Sequence, residues 1–259
     1  MVLLLGLDLA ALSCHSRPAE SGDAIDSGDE ATALQKLSEA DQLYTERENL
    51  SKLRLGIAFL RQARIADYGN YEAAWKLAKF DYYLGSHTTD DRERDDTFRE
   101  GIEVGKIAVQ LRGDKPDGHF WLGANYGGSA EHSTLAGLAN VEDIKNEMET
   151  VLKIDEGYQA GSAYLVLGQL YSQAPRVLGG DHEKAIQYLQ KGLRFGSNNA
   201  LLRLQLAETY HAVKRDADAL KQIDLILKMT PDPRYVPEYK EAAQEANKLK
   251  ETIKTEGKQ

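Results

Sequence analysis

Three histidines in separate parts of the chain stand close to carboxylates. His87, His132 and His182 each have an aspartate or glutamate within a few residues. Imidazole and carboxylate groups are ligands for zinc and other divalent metals. If the fold brings these segments to one edge, they could hold a metal, and a metal-dependent hydrolase would be the enzymatic interpretation. No two of them have the i, i+4 spacing of paired ligands on one helix, so solvated loop residues are the alternative.

Other catalytic signatures are missing from the sequence. It contains no phosphate-binding loop, metalloprotease helix, nucleophile elbow or paired-cysteine metal site. The single cysteine, Cys14, ends the N-terminal apolar stretch, where lipid modification is a better interpretation than nucleophilic catalysis. We therefore predict a binding protein and not an enzyme, with no cofactor and no assigned metal ligand.

The charge balance argues against two classes of partner. The 259 residues include 32 Lys and Arg against 41 Asp and Glu, which gives a formal net charge of −9. An acidic chain without a basic block is a poor nucleic-acid binder. Polybasic attraction to a membrane surface is excluded for the same reason, and no apolar run is long enough to span a bilayer.

The N-terminus has features of an export signal. Residues 1–13 are mostly Leu, Ala and Val, and they end in Ala11-Leu12-Ser13-Cys14. This end resembles the bacterial lipoprotein signal, in which a small residue precedes a cysteine that becomes lipidated. The order of Leu and Ala is reversed relative to that signal, Asp8 interrupts the apolar run, and no Lys or Arg precedes it. An uncleaved tail is the alternative to a signal over residues 1–14.

The segment after the cysteine is rich in Ser, Gly, Asp, Glu and Ala. Such a composition buries too little apolar surface to order itself. We predict a flexible tether over residues 15–33. With Cys14 lipidated, the protein would lie in the periplasm, anchored to a bacterial membrane.

A short pattern recurs three times in the second half of the chain. It consists of a large residue, a small residue, and a tyrosine three positions after the small one. The three copies are Leu122-Gly123-x-x-Tyr126, Leu167-Gly168-x-x-Tyr171 and Leu206-Ala207-x-x-Tyr210. In a helix these positions share one face, where the small residue lets a neighbouring backbone approach. Three copies predict a repeat architecture.

The last copy resembles the tetratricopeptide repeat. Leu206-Ala207, Tyr210, Ala219, Ile223 and Pro231 stand at the offsets of that family, whereas Arg203 and Ile226 depart from it. We predict an all-α right-handed solenoid over residues 34–259, with about five helix pairs. The segment 237–253 is rich in Glu, Lys and Ala, as expected of a C-terminal capping helix.

The spacing of the repeats is wider than usual. Tyr82, Tyr126, Tyr171 and Tyr210 are farther apart than the roughly 34 residues of a tetratricopeptide unit. The extra residues fall between the two helices of a unit, in segments 84–94, 127–140 and 172–180. Insertions at the same point of each unit are expected to lie along one edge of the solenoid.

Segments 120–128 and 167–181 narrow the resemblance. They include Leu167-Gly168-x-x-Tyr171, Ala174-Pro175 and Gly179-Gly180-Asp181, with Ala185 after them. Over residues 71–227 the chain resembles the T-component proteins of TRAP transporters (TatT), which are bacterial lipoproteins built from modified tetratricopeptide repeats. It is also similar to eukaryotic regulators of microtubule dynamics. The resemblance to TatT implies a non-catalytic accessory to TRAP-type solute uptake, acting through a periplasmic solute-binding protein or an apolar ligand. A general periplasmic scaffold without a transport role is the alternative.

The concave groove is the expected binding site, because the first helix of each tetratricopeptide unit lines it. The predicted lining mixes apolar, aromatic and polar side chains, which suits an apolar ligand or a partner's helix. Phe80, Tyr83 and Phe120 are the predicted anchors. The alternative is that these side chains only contact neighbouring helices and the groove is empty. The predicted groove residues are Lys76, Phe80, Tyr83, Phe120, Ala124, Leu165, Gln169, Gln173, Leu204, Glu208 and His211.

Overall fold

The computed structural model describes residues 27–132 and 134–257, and this part of the chain is built from α-helices and two short 3₁₀ helices. The prediction of an all-α fold is confirmed. The 3₁₀ helices are Arg176–Leu178 and Pro233–Tyr235. The α-helices are α1 Ser27–Tyr44, α2 Leu50–Ala66, α3 Tyr71–His87, α4 Asp91–Leu111, α5 Pro116–His132, α6 Thr134–Ile154, α7 Tyr158–Gln173, α8 His182–Phe195, α9 Ala200–Ala212, α10 Asp216–Lys228 and α11 Val236–Glu256.

The helices form five consecutive pairs followed by a closing helix. Each odd-numbered helix from α1 to α9 packs most extensively on the even-numbered helix that follows it. Odd-numbered helices also pack on one another, as α3 does on α5 and α7 on α9, so they share one face of the stack. Helix α11 covers α9 and α10, as predicted for a cap.

The small residues of the repeat pattern bring the helices of a pair together. A Cβ at Gly123 would lie 2.4 Å from Met148 Cε, and a Cβ at Gly168 would lie 2.5 Å from Leu189 Cδ2. Only a residue without a side chain fits these positions without a shift of the partner helix. The sequence pattern therefore encodes the contacts α5–α6 and α7–α8.

Two predicted boundaries differ from the structure. Residues 27–33, predicted as part of the tether, belong to α1, and Ala33 is fully buried. A single small apolar residue that packs on a neighbour is enough to extend the helix into a polar segment. Cys14, the predicted signal and the first part of the tether, residues 15–26, lie outside the described residues.

The predicted insertions take two forms. The first two lengthen the flanking helices, because α3 continues to His87 before α4 begins at Asp91, and α5 continues to His132 before α6 begins at Thr134. The third forms a compact turn that contains the 3₁₀ helix Arg176–Leu178. The extra residues of the first two insertions are therefore mostly helical, whereas those of the third form the turn between α7 and α8.

Buried apolar side chains form two groups that meet at α7 and α8. Leu167 and Ala185 belong to the N-terminal core, which extends back to α1. Leu165, Ile186 and Leu189 belong to the C-terminal core, which extends to α11. The boundary between the two cores therefore runs through α7 and α8, and each of these helices contributes side chains to both cores.

The start of α7 has unusual backbone geometry. Gln159, Ala160 and Gly161 have φ angles of 45°, 55° and 78°, in the left-handed region that side chains disfavour. The carbonyl of Ala160 accepts a hydrogen bond from Asn199 Nδ2 at 3.2 Å, which ties this turn to the α8–α9 connection. A Cβ at Gly161 would lie 2.6 Å from the carbonyl oxygen of Gly192, so glycine is required there.

Candidate functional site

Aromatic side chains gather where α1, α3 and α5 adjoin. The Tyr44 ring lies 4.7 Å from Phe80 and 6.0 Å from Tyr83 between ring centroids, and Tyr82 lies 5.8 Å from Trp121. We call these five residues the aromatic cluster. Tyr44 and Tyr82 are its partly exposed members, and we take the cluster as the centre of the candidate site.

Lys79 brings a cation to this cluster. Its Nζ lies 4.0 Å from the Tyr44 ring centroid and 5.9 Å from that of Trp121. No described carboxylate comes within ion-pair distance of it. Burial lowers the pKa of Lys79 to about 8, and the nearby Arg47 charge acts in the same direction. Asp41 and Glu238 oppose these effects from beyond ion-pair distance, so the ammonium lies against aromatic rings and can accept a closer anionic or carbonyl partner.

Lys76, by contrast, already has two carboxylate partners. Its Nζ lies 2.5 Å from a carboxylate oxygen of Asp41 and 2.5 Å from one of Glu72. The side chain is only 10 % exposed. This predicted groove residue therefore holds α1 against α3.

Two of the three predicted anchors are packing residues. Phe80 is 1 % exposed, and its Cε1 lies 2.7 Å from the point where a Cβ on Gly56 of α2 would stand. Phe120 is 6 % exposed and packs on Trp121 and Tyr158 at 5.0 and 5.4 Å between centroids. These rings fill the spaces between helices. Ala124, 5 % exposed, is enclosed in the same way.

Tyr83 differs from the other two anchors because charged groups cover it. Its ring stacks on His87 at 4.0 Å, and the Arg47 guanidinium lies 5.5 Å from its centroid. Tyr83 would become accessible if those two groups moved.

The remaining predicted groove residues lie on α7 and α9. Leu165 and Leu204 are buried in the C-terminal core, whereas Gln169 is half-buried and Gln173 is exposed. Glu208 is exposed, yet surrounding protein raises the pKa of its carboxyl, with a smaller contribution from Glu245. Polar groups therefore face outward on this half of the face.

His211 contacts carboxylates of two other helices from the end of α9. Its Nδ1 lies 2.7 Å from Asp216 Oδ1, and its Nε2 lies 3.9 Å from Glu256 Oε1. This predicted groove residue links α9 to α10 and α11.

The two ends of the solenoid meet through Arg47. This side chain, in the α1–α2 connection, is 5 % exposed. Its Nη2 donates to Glu238 Oε2 at 2.6 Å and to the carbonyl of Arg234 at 2.9 Å, and its Nε donates to Glu238 Oε1 at 3.1 Å. The guanidinium also lies 4.8 Å from the Tyr44 ring centroid. Bidentate geometry of this kind gives a strong, oriented ion pair.

Two further contacts join the same ends. Lys240 Nζ lies 3.0 Å from Glu48 Oε1, and His87 Nε2 lies 3.0 Å from Glu241 Oε1. We call the Arg47–Glu238, Glu48–Lys240 and His87–Glu241 pairs the closing contacts. They place the first residues of α11 beside the aromatic cluster.

The predicted histidine site does not assemble from the described side chains. His87 stacks on Tyr83 and contacts Glu241, and within the described residues no three His, Cys, Asp or Glu side chains are grouped as metal ligands. The side chain of His132 is outside the description.

A fully buried acid was also missed by the sequence analysis. Both carboxylate oxygens of Asp81 lack a hydrogen-bond partner among the described groups. Burial raises its pKa well above the usual range, and the negative charge of Glu100 adds to this. The Leu-Gly-Tyr periodicity places Asp81 one residue before a tyrosine and gives no sign that it faces inward.

Comparison with models of protein families shows the family to which this chain belongs. Residues 79–254 match the model of the TRAP transporter T-component family. The chain belongs to the TRAP transporter T-component family. The match includes Lys79 and the aromatic residues of α3 and α5 from Phe80 onward. It also includes α11 except for its last two residues.

Solved tetratricopeptide proteins share the fold of this T-component family member. TTC0263, a thermophilic TPR protein of Thermus thermophilus, is 22 % identical with a TM-score of 0.61, covering 81 % of this chain and 98 % of that one. The MamA protein is 18 % identical with a TM-score of 0.51, covering 78 % and 98 %. The predicted tetratricopeptide-like solenoid is thereby confirmed. No curated protein matches the sequence.

None of the described helices is long and apolar enough to cross a bilayer. Membership of the T-component family supports a non-catalytic accessory role in TRAP transport.

Proposed function

We propose that this protein holds a periplasmic TRAP-type solute-binding protein against its concave face. The proposal rests on Lys79, which lies inside the family-matched segment. Its half-buried ammonium lies over an aromatic ring and has no carboxylate within ion-pair distance among the described residues. Buried charges are normally paired. A partner's carboxylate or carbonyl would complete this site.

The surface around Lys79 suits a protein partner. Interfaces commonly combine an aromatic or cationic centre with a polar rim. Here the aromatic cluster would be the centre, and the outward polar groups of α7 and α9 would be the rim. Of the predicted groove residues, Tyr83, Gln169, Gln173 and Glu208 are the ones we retain as contacts. An apolar ligand in the same place is a second candidate, favoured by the three tyrosines of the cluster.

We further propose that the protein is tethered in the bacterial envelope. Cys14 would be the lipidated first residue of the mature chain, and the segment up to the start of α1 would be the tether. Palmitate labelling tests this, since labelling must disappear in Cys14→Ser. Labelling that survives the substitution would refute the lipid anchor at Cys14.

The partner is tested by affinity capture from the native cells. Bait chains would be wild type, Lys79→Gln, and Arg61→Gln as a matched control, because Arg61 is an exposed cation on α2 that pairs with Glu100. We expect the wild type and the control to recover a TRAP solute-binding protein and Lys79→Gln to recover little. Equal recovery by all three baits would show that Lys79 is not part of the binding site. Recovery of unrelated periplasmic proteins alone would favour a general scaffold.

A further inference from the structure

We propose that the closing contacts form a releasable latch that controls access to the groove. In the closed form α11 is held beside the aromatic cluster, and in the open form the C-terminal helices swing away from α1–α3. This inference rests on the proposed function, since it concerns regulation of the same face.

The latch is polar, whereas the rest of the solenoid is joined by apolar packing. Helix α11 packs on α9 and α10, and its side chains Ala242, Ala246 and Ile253 belong to the C-terminal core. Helix α11 and the 3₁₀ helix before it bond to the first units through Arg47, which contacts Glu238 and the Arg234 carbonyl. The pairs Glu48–Lys240 and His87–Glu241 join the same elements. When polar contacts of this kind open, water or a partner can replace each hydrogen bond, whereas separating a core exposes apolar surface to water.

The division of the core provides the hinge. Among the described side chains the two apolar groups meet along α7 and α8, so we place the relative movement of the two halves at these helices. The left-handed residues Gln159–Gly161 lie in the first turn of α7 and are already outside regular helical geometry. Hinge motions are absorbed by a few such residues at the ends of helices.

The latch covers the groups that the proposed partner needs. Arg47 lies over the rings of Tyr44 and Tyr83, and His87 stacks on Tyr83. Release of Glu238 and Glu241 would free Arg47 and His87 to move and would uncover both tyrosines beside Lys79. A partner that binds only the open form would shift the population toward it.

The test measures the distance between the two sides of the latch in the isolated chain. Spin labels would be attached at Gln42 of α1 and Gln244 of α11, both exposed, in a background with Cys14→Ser. The variants are Arg47→Met and, as a matched control, Arg54→Met, since Arg54 makes a bidentate pair with Glu93 of α4, within the first two helix pairs. The milder Glu238→Gln keeps the shape of the latch and serves if Arg47→Met does not fold.

We expect one short distance in the wild type and in the control. In Arg47→Met the closed-to-open ratio should fall by at least roughly 100-fold, because breaking one buried ion pair leaves the other charge unpaired, and a longer distance should appear. Acrylamide quenching of Trp121, in a Trp75→Phe background, should rise in parallel. Unchanged distances and quenching in a folded Arg47→Met or Glu238→Gln variant would overturn the latch.

This experiment is independent of the partner. If Arg47→Met opens but the protein captures no solute-binding protein, the latch hypothesis is supported and the proposed function is refuted. A chain that binds the solute-binding protein while its label distance stays short would keep the function and refute the latch.

Discussion

Arg47 and Glu238 lie 191 residues apart in the sequence and form a bidentate ion pair that joins the first helix pair to the closing helix. The arginine is almost completely buried, and its remaining donors reach the carbonyls of Arg234 and Tyr44. A solenoid whose ends are joined in this way differs from an open repeat array, in which each unit contacts only its neighbours.

The first prediction concerns how much the Arg47–Glu238 pair contributes to the free energy of unfolding. Arg47→Ala should lower the free energy of unfolding by about 3–5 kcal/mol if the chain unfolds as one unit, because Glu238 is left without its partner in a partly buried site. In a double-mutant cycle with Glu238→Ala, the two losses should not add. The exposed pair Arg54–Glu93 is the control and should contribute under about 1 kcal/mol by the same urea titration. Additive losses at Arg47 and Glu238 would contradict the assignment.

A second prediction concerns pH and His119. This side chain is 8 % exposed, its Nδ1 lies 2.5 Å from Glu147 Oε2, and its Nε2 lies 3.0 Å from the Gly113 carbonyl. The bond to Glu147 raises the pKa of His119, with a further contribution from the Gly113 carbonyl, against the opposing effect of burial.

Because the folded pKa is the higher one, this stabilisation is fully present below the unfolded value of about 6.5 and is lost as pH rises through the folded pKa. Urea midpoints should therefore fall across that window in the wild type. The fall should be smaller in His119→Gln, and His182→Gln, an exposed histidine, is the control. Identical pH profiles for His119→Gln and wild type would exclude this assignment.

A third prediction concerns Asp81, whose titration also lowers stability as pH rises. Its pKa is raised by burial and by Glu100, so the folded chain holds a proton that the unfolded chain releases above about pH 4. Stability is lost as pH rises from that value toward the folded pKa. Asp81→Asn should remove this dependence and be more stable than wild type at neutral pH by about 1–3 kcal/mol. Asp95→Asn, an exposed acid on α4, is the control, and a destabilised Asp81→Asn at neutral pH would show that the charged form is needed.

Two glycines should respond oppositely to alanine. Gly161→Ala should destabilise the protein by about 2–4 kcal/mol, because its φ is positive and the Gly192 carbonyl occupies the space of a Cβ. Gly127 lies within α5 with no atom near its Cβ position, so Gly127→Ala should stabilise by about 0.5–1 kcal/mol. Thermal unfolding of both variants measures the difference. A neutral Gly161→Ala would mean that the left-handed turn is not maintained in solution.

Local patterns in the sequence were sufficient to predict the helical repeat and its packing. The Leu-Gly-x-x-Tyr pattern predicted the α5–α6 and α7–α8 contacts because the steric requirement at Gly123 and Gly168 is carried by adjacent residues. The capping helix followed from its composition. These are properties of a helix and its immediate neighbour, which a single repeat encodes.

The site was harder to predict because it depends on distant parts of the chain. Phe80 stands at a groove position in the repeat register, yet packs against Gly56, since α1 and α2 enclose it. Arg47 lies in a polar connection that gives no local sign of burial. Its burial depends on α11, which reaches it only after five helix pairs have curved the chain back on itself.

The central claim is that Lys79 and the cluster around it bind a TRAP solute-binding protein. The most direct measurement is titration of the purified solute-binding protein from the same cells onto immobilised wild type, Lys79→Gln and the convex control Arg61→Gln. Loss of one central charged contact should weaken binding by roughly 10- to 100-fold in Lys79→Gln, with the control unchanged. Equal affinity for all three folded chains, or no binding to any, would contradict the claim.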